Sequence, residues 1–270
     1  MGTASSPGVA QAFVSWDERI ARARSLASNT PATSAILTFY GDLAGFQRSL
    51  ARSVAPDQLN PSDLLDVVEP AVLAVPGFLD WLQRHGPAGL KNVATEGADW
   101  KGLLEQRLAE GRLDEEGTTA FVVEAVLQPF VESSVRLQAG PEVRLKADAT
   151  YETRCPACAS LPVAAALREE GHGGRRSLVC SLCFAEWDYV RIQCPACKEN
   201  RFDALPVYSS NVPANARIDA CDTCRTYIKT IDLTRDGLAI PAVDDLATLT
   251  LDLWARDHGY RRLYPNLLRI

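Results

Sequence analysis

Eight cysteines constrain this chain more than any other feature of its sequence. They form four C-x-x-C pairs, Cys155/Cys158, Cys180/Cys183, Cys194/Cys197 and Cys221/Cys224, and no cysteine lies outside that stretch. Two residues between two thiols let one tight turn present both sulfurs to a single ion, with backbone N–H groups directed at them. Two such turns close a tetrahedral four-thiolate site. The first and second pairs are separated by 21 residues and the third and fourth by 23, room for a β-hairpin in each, whereas only 10 residues separate the second from the third. That is zinc-ribbon or rubredoxin-like spacing.

The spacing is also a repeat. Cys155 to Cys194 is 39 residues, Cys180 to Cys221 is 41, and each unit opens on CPAC. The second pair of each unit is followed by a strand-like run, FAEWDYVRI after Cys183 and RTYIKTIDL after Cys224. Gly171, Gly173 and Gly174 punctuate the first expected hairpin, and Asn211, Pro213 and Asn215 the second. A duplication accounts for these features together. It assigns Cys155, Cys158, Cys180 and Cys183 to one ion and Cys194, Cys197, Cys221 and Cys224 to another. A cross-braced arrangement, first pair with third, would not follow the repeat.

Competing readings of the cysteines fare worse. Disulfides are disfavoured because the N-terminal stretch lacks a secretory signal pattern and a reducing cytosol is the default compartment. A single C-x-x-C can be a redox catalyst, but four pairs at ribbon spacing rarely are. Plain buried cysteine does not predict pairs. Iron and zinc both accept four thiolates, so the expected cofactors are two ions of either metal. Glycine often follows the second cysteine of such a turn, where the backbone takes a positive φ. Ala159, Phe184, Lys198 and Arg225 stand there instead, which predicts less ideal turns. His172, set among glycines, reads as an exposed hairpin tip rather than a ligand.

The remainder has a different grammar. Residues 1–145 are expected to form an all-α domain of five or six helices. A first helix is predicted over 9–28. Thr30-Pro31 should cap a second, whose apolar face is Ile36, Phe39, Tyr40, Leu43, Phe46 and Leu50. Asn60-Pro61 repeats the device before a third, which Pro70 and Pro76 should kink or interrupt. Leu103, Leu104, Arg107 and Leu108 mark a short helix ending near Gly111, and Asp114 opens a longer one through Phe130 with a bend at Pro129. These stripes read as core. His85, beside Gly86-Pro87, has no evident partner. Gly140-Pro141 opens a charged connector. The cysteine units should occupy 150–190 and 191–235, followed by a helix and tail over 242–270. There Asp244-Asp245 sit at the helix start, where the dipole favours acid, and Gly259 is the expected cap.

Charge narrows the function classes. The chain carries a net charge of −6, concentrated in the first half, while the cysteine region is near neutral. Neither attracts phosphate backbones or anionic lipid, which counts against a nucleic-acid-binding ribbon. No uninterrupted apolar run approaches the about 18 residues of a membrane span. Gly2 followed by Ser6 matches a myristoylation pattern without the basic patch that would support it.

Several stretches are more specific than the cysteine pairs. RCPACASLPVAAAL runs into SLVCSLCFAEWDYVRIQCPAC; then come ACDTCRTYIKTID and AVDDLATLTLDLWARDHGYRRLYPN. Across roughly residues 150–266 the chain resembles the FdhE family, accessory proteins of respiratory formate dehydrogenases. The resemblance implies a cytoplasmic maturation factor that binds the enzyme's catalytic subunit before twin-arginine export. It also implies two rubredoxin-like domains, with iron. The expected activity is binding and assembly rather than catalysis, since no nucleophile–base pair is visible and four-cysteine sites are ligand-saturated. A homo-oligomer is compatible with this. The alternatives are a thiol-redox or sulfur-transfer enzyme, which needs a free reactive thiol, and a ribbon that binds nucleic acid. Tyr260, Arg261, Arg262 and Tyr264 are candidates either for a partner surface or for a tail packed on its own protein.

Overall fold

The computed structural model describes residues 13–55, 59, 63–91, 98–113, 117–139, 152–170, 173–209 and 214–269, and consists of a helical half followed by a sheet half. The expected Asn60-Pro61 cap, the Asp114 helix start, the Gly140-Pro141 connector, Gly171, His172, Asn211, Pro213 and the Gly2/Ser6 pattern lie outside the described residues.

Helix α1 (Trp16–Asn29) begins later than its periodicity suggests, because Ser15 and Glu18 form a reciprocal capping box. Thr30 does not cap the next helix. Its hydroxyl turns back to the carbonyl of Leu26, and Pro31 opens a 3₁₀ turn ahead of α2 (Ser34–Ser53). On α2, Tyr40 and Leu43 are buried with Leu37, while Ile36, Phe39, Phe46 and Leu50 pack at the margin of the core. Helix α3 (Val68–His85) runs through Pro70 and Pro76 without interruption. Pro70 lies in the first turn, where no backbone N–H is needed. The short α4 (Ala88–Lys91) precedes α5 (Trp100–Glu110), which ends at Gly111 with φ of 65°. Helix α6 (Gly117–Ala139) passes through Pro129 and is buried on every side from 120 to 132, as expected of a helix that is apolar all round.

Three polar residues interrupt the buried part of α6, and each is paired. Glu124 accepts from Arg107 at 2.7 Å, and Glu132 accepts from Arg19 at 2.7 and 2.9 Å and from Gln128 at 2.7 Å. Gln47 of α2 donates to the carbonyl of Ala125 at 2.8 Å. These bonds fix the rotation of α6 against α1, α2 and α5, a task that uniform apolar contact would leave loosely specified.

The sheet half joins the two cysteine units into one sheet. Its strands are β1 (Pro162–Glu170), β2 (Gly173–Cys180), β3 (Glu186–Asp188), β4 (Val207–Ser209), β5 (Ala216–Cys221), β6 (Thr226–Asp232) and β7 (Arg261–Arg262). The order is β3-β2-β1-β6-β5-β4, with β7 beside β6. Within each unit the strands are antiparallel. Between units β1 and β6 run parallel, Ala165 opposite Thr230 and Leu167 opposite Asp232. Each unit thus contributes its long strand to the seam, and the second repeats the first by something close to translation.

The C-terminal segment clamps this sheet to the helices. It forms two short helices, α7 (Pro241–Ala247) and α8 (Leu249–Asp257), with a break at Thr248, and Gly259 at φ of 77° turns the chain into β7. Asp244 caps the backbone N–H of Ile240 at 2.8 Å and also binds Arg22 of α1. Asp245 is fully buried between Lys229, at 3.0 Å, and Arg262, and Asp252 contacts the same two cations. Two cations against two carboxylates leave this buried cluster neutral, which is what makes its desolvation tolerable. Tyr260 and Tyr264 are buried, so the tail packs on its own protein.

Candidate metal centres

The hairpin registers bring the cysteine pairs together. In the first unit β1 and β2 pair from Glu170–Gly173 back to Pro162–Cys180, so the turn before β1 and the turn after β2 meet at the open end. In the second, Cys221 ends β5 opposite Thr226, and the N–H of Asp222 bonds the carbonyl of Ala204. The eight sulfurs fall into two groups of four, Cys155/Cys158/Cys180/Cys183 and Cys194/Cys197/Cys221/Cys224, each group lying within 4.8 Å. These are the fours that the repeat assigns.

The sulfur geometry matches a tetrahedral ion. In the first group Cys155 and Cys183 are 3.6 Å apart, Cys158 and Cys180 3.3 Å, and Cys158 and Cys183 3.5 Å. In the second, Cys194–Cys224 and Cys197–Cys221 are both 3.7 Å. Four sulfurs at about 2.3 Å from a common centre stand about 3.8 Å apart, whereas a disulfide needs about 2.05 Å. All eight thiols are free. Either group could hold one metal ion.

Each turn is preformed by its backbone. Ala159, Phe184, Lys198 and Arg225 all take positive φ, between 56° and 64°. Four L-residues therefore take the left-handed conformation that glycine adopts most easily. In three of them the residue's N–H bonds the carbonyl of the first cysteine, Ala159 to Cys155, Lys198 to Cys194 and Arg225 to Cys221, at 2.8–2.9 Å. The amides of Leu182 and Cys183 point at the sulfur of Cys180 at 3.3 and 3.4 Å. Such donors stabilise thiolate over thiol.

In each group one thiol is shifted towards the thiolate and two away from it. In the first group hydrogen bonds from Cys155 and Cys180 hold Cys158 well below the usual thiol range. Cys155, which supplies one of them, is pushed well above it, and burial pushes Cys183 up. In the second, burial raises Cys194 and Cys197. At Cys224 the upward push of burial is outweighed by hydrogen bonds involving Thr226 and Cys197, and that thiol is lowered. A bound cation would favour the thiolate form of every sulfur that ligates it.

The two groups differ in their surroundings. All four cysteines of the first are buried and share one apolar core with the helices. In the second Cys197 is exposed and Cys224 half-buried. Arg107 of α5, fully buried, reaches the first group. It donates to Ser160 at 3.0 Å, whose hydroxyl lies 3.4 Å from the sulfur of Cys158, and it approaches Ser181 at 3.5 Å. Gly111 lies so close that an added Cβ would stand 2.2 Å from the carbonyl oxygen of Ala159. Arg154 bridges the carbonyls of Glu110 and Ala159, 2.8 Å from each. Sequence reasoning took Arg107 as one residue of a core stripe. A charge on that apolar face was the only signal of its role.

The EW and TYIK runs are structural supports. Trp187 is buried and donates to the carbonyl of Glu152 at 3.0 Å, and Glu186 accepts from Arg168 at 3.0–3.1 Å. Lys229 anchors the buried ion cluster. His85 stacks on Trp81 with ring centroids 5.4 Å apart. No described helix is long and apolar enough to cross a membrane.

Comparison with known proteins follows the same division. Residues 154–191 match the family model of the FdhE central domain, and 192–269 that of the FdhE C-terminal domain. An FdhE homologue of Aquifex aeolicus is 30% identical over 197 residues, covering 71% of this chain and 67% of the relative. One from Haemophilus influenzae is 28% identical over 273 residues, covering 92% and 85%. One from Stutzerimonas stutzeri is 43% identical over 121 residues, covering 43% of this chain and 38% of the relative. The crystal structure of the FdhE protein from Pseudomonas aeruginosa aligns over 94% of this chain and 95% of that one, with a TM-score of 0.60 and 28% identity.

Proposed function

The chain belongs to the FdhE family, and on that premise we propose that it is an accessory protein for the assembly or activation of a respiratory formate dehydrogenase. In this reading it acts in the cytoplasm, binds the enzyme's catalytic subunit before export, and is not itself an enzyme. Its eight cysteines ligate two metal ions, one in each group of four.

One observation carries the reading: every cysteine belongs to a closed group of four sulfurs. An ion held by four thiolates keeps no open position for substrate. The ions therefore hold small hairpins whose own cores are too meagre to fold alone, and the action passes to the surface of the protein. Iron would add a change of valence at the centre, which zinc lacks.

The test is co-purification of the metal-loaded protein with a formate dehydrogenase catalytic subunit. Complex formation is expected, together with lower formate dehydrogenase activity in cells lacking this protein. A subunit that matures fully without it contradicts the proposal. Metal analysis of protein purified with and without air identifies the ion. The exposure of Cys197 favours one rival, thiol or sulfur-transfer chemistry at the second centre. Titration of the metal-loaded protein decides it: no reactive thiol is expected, and one reactive thiol per chain would support the rival.

A further inference from the structure

The sheet of the second unit has one covered face and one open one. On the covered face Ile218, Ala220, Tyr227 and Ile231 pack with Leu251 and Ala255 of α8. Strand alternation sends Arg217, Asp219, Thr226 and Ile228 to the other face. There they line a cavity of about 370 Å³, bounded by the 191–195 link between the two units and by the 202–207 segment.

Three features bear on what this cavity could bind. Ile192, Phe202 and Val207 on its walls are 48%, 81% and 54% exposed, a cluster of large apolar side chains that α8 and the helical half leave uncovered. Three arginines, Arg176, Arg191 and Arg217, line it together with one carboxylate, Asp219, and with Cys194 and Cys221 of the second centre. Asp219 pairs with Arg217 at 2.8 Å and Arg176 at 3.5 Å, and Arg191 makes no ion pair among the described residues. Finally, β4, which contributes Val207 to the wall, is the end strand of the sheet order.

We propose that this groove docks an extended segment of a partner protein carrying an apolar side chain flanked by carboxylates. The apolar residue enters the cavity between Ile192, Phe202 and Val207, and the flanking acid pairs with Arg191 and Arg217. An end strand supplies main-chain partners to an extended peptide, and alternate side chains then reach the groove. The exposed Arg191, which no carboxylate neutralises among the described residues, favours an acidic segment over a basic one. This proposal rests on the reading of the chain as a partner-binding protein.

The test uses full-length, metal-loaded protein and a phage-displayed library of random heptapeptides, so it does not depend on a formate dehydrogenase subunit. Failure here leaves the proposed function standing, and failure of the co-purification leaves this result readable. Selection should enrich peptides with Leu, Ile or Phe beside Asp or Glu. A synthetic copy of the best peptide should lose about tenfold in affinity on Arg191→Glu and on Val207→Asp. Both are exposed sites, where metal content and unfolding temperature should hold. Phe202→Ser should weaken binding without changing its salt dependence, whereas Arg191→Glu should reduce both. Enrichment of basic peptides, undiminished binding by the variants, or no enrichment overturns the proposal.

Discussion

The two cysteine centres are built from the same turn, hairpin and turn, yet they sit in opposite environments. The first is enclosed by the helical half: its four cysteines share a core with α6, and a fully buried arginine from α5 reaches its serines. The second lies at the far end of the sheet, with Cys197 in solvent and α8 covering only one face of its strands. Duplication supplies the ligands twice, but the helical half attaches to one copy. The first group is thereby part of the core that the helical half shares, and the second is the more exposed to solvent.

The largest effects should break this contrast at the ligands. Cys158→Ser should remove the first ion and unfold both halves, since the lost metal binding is comparable with a typical domain stability of about 5–15 kcal/mol. Loss of the helical circular dichroism transition would register it. Cys197→Ser should yield protein with one ion per chain and an intact helical transition. Chelator challenge of the wild type should release metal in two phases of one ion each, with Cys197 alkylated during the first. A single phase, or a Cys158→Ser protein with folded helices, would show the centres to be equivalent.

The next effects sharpen it at the buried arginine. Arg107→Met leaves Glu124 buried without its main partner and should cost about 3–5 kcal/mol in denaturant unfolding, with part recovered by Glu124→Gln in the same chain. At the second centre Arg225 is roughly half exposed; it pairs with Asp222 at 2.9 Å, donates to the carbonyl of His258 and stacks on Tyr260, and Arg225→Met should cost about 1–2 kcal/mol, less than the change at Arg107.

Backbone changes test the same contrast. Gly111→Ala must hold a left-handed residue, at about 1–2 kcal/mol, and must also push its Cβ away from the Ala159 carbonyl, so the unfolding midpoint should fall and the first ion should be released sooner. Ala159→Gly relieves the same conformation at an exposed position but frees the unfolded chain. It should shift stability by less than about 1 kcal/mol in either direction.

Much of the site was legible because its signals are local. A C-x-x-C turn is decided within five residues, and two turns joined by a hairpin are decided within one repeat. The pairing of Cys155/Cys158 with Cys180/Cys183 therefore needed no knowledge of the rest of the chain. The positive φ at Ala159, Phe184, Lys198 and Arg225 was less legible, since composition there argued against it. The turn's hydrogen bonds outweigh the modest cost of a non-glycine residue. Helix boundaries failed where a cap competed with periodicity, as at Ser15, or where a hydroxyl turned back on the preceding helix, as at Thr30. Asp244 and Asp245 were read as dipole partners. Asp245 is instead half of a buried charge balance with Lys229 and Arg262, residues 16 and 17 positions away in opposite directions along the chain.

The sequence by itself determined the two sets of four cysteines, the helical and sheet halves, and the family, because each rests on spacing or short-range pattern. Only the tertiary structure decided that β1 and β6 fuse the two units into one sheet, that the helical half encloses the first centre, and that Arg107 reaches it across 53 residues of chain to Ser160. Those outcomes depend on which apolar faces find each other and which buried charges must be neutralised. Such long-range pairings leave no periodic trace in the residues that make them.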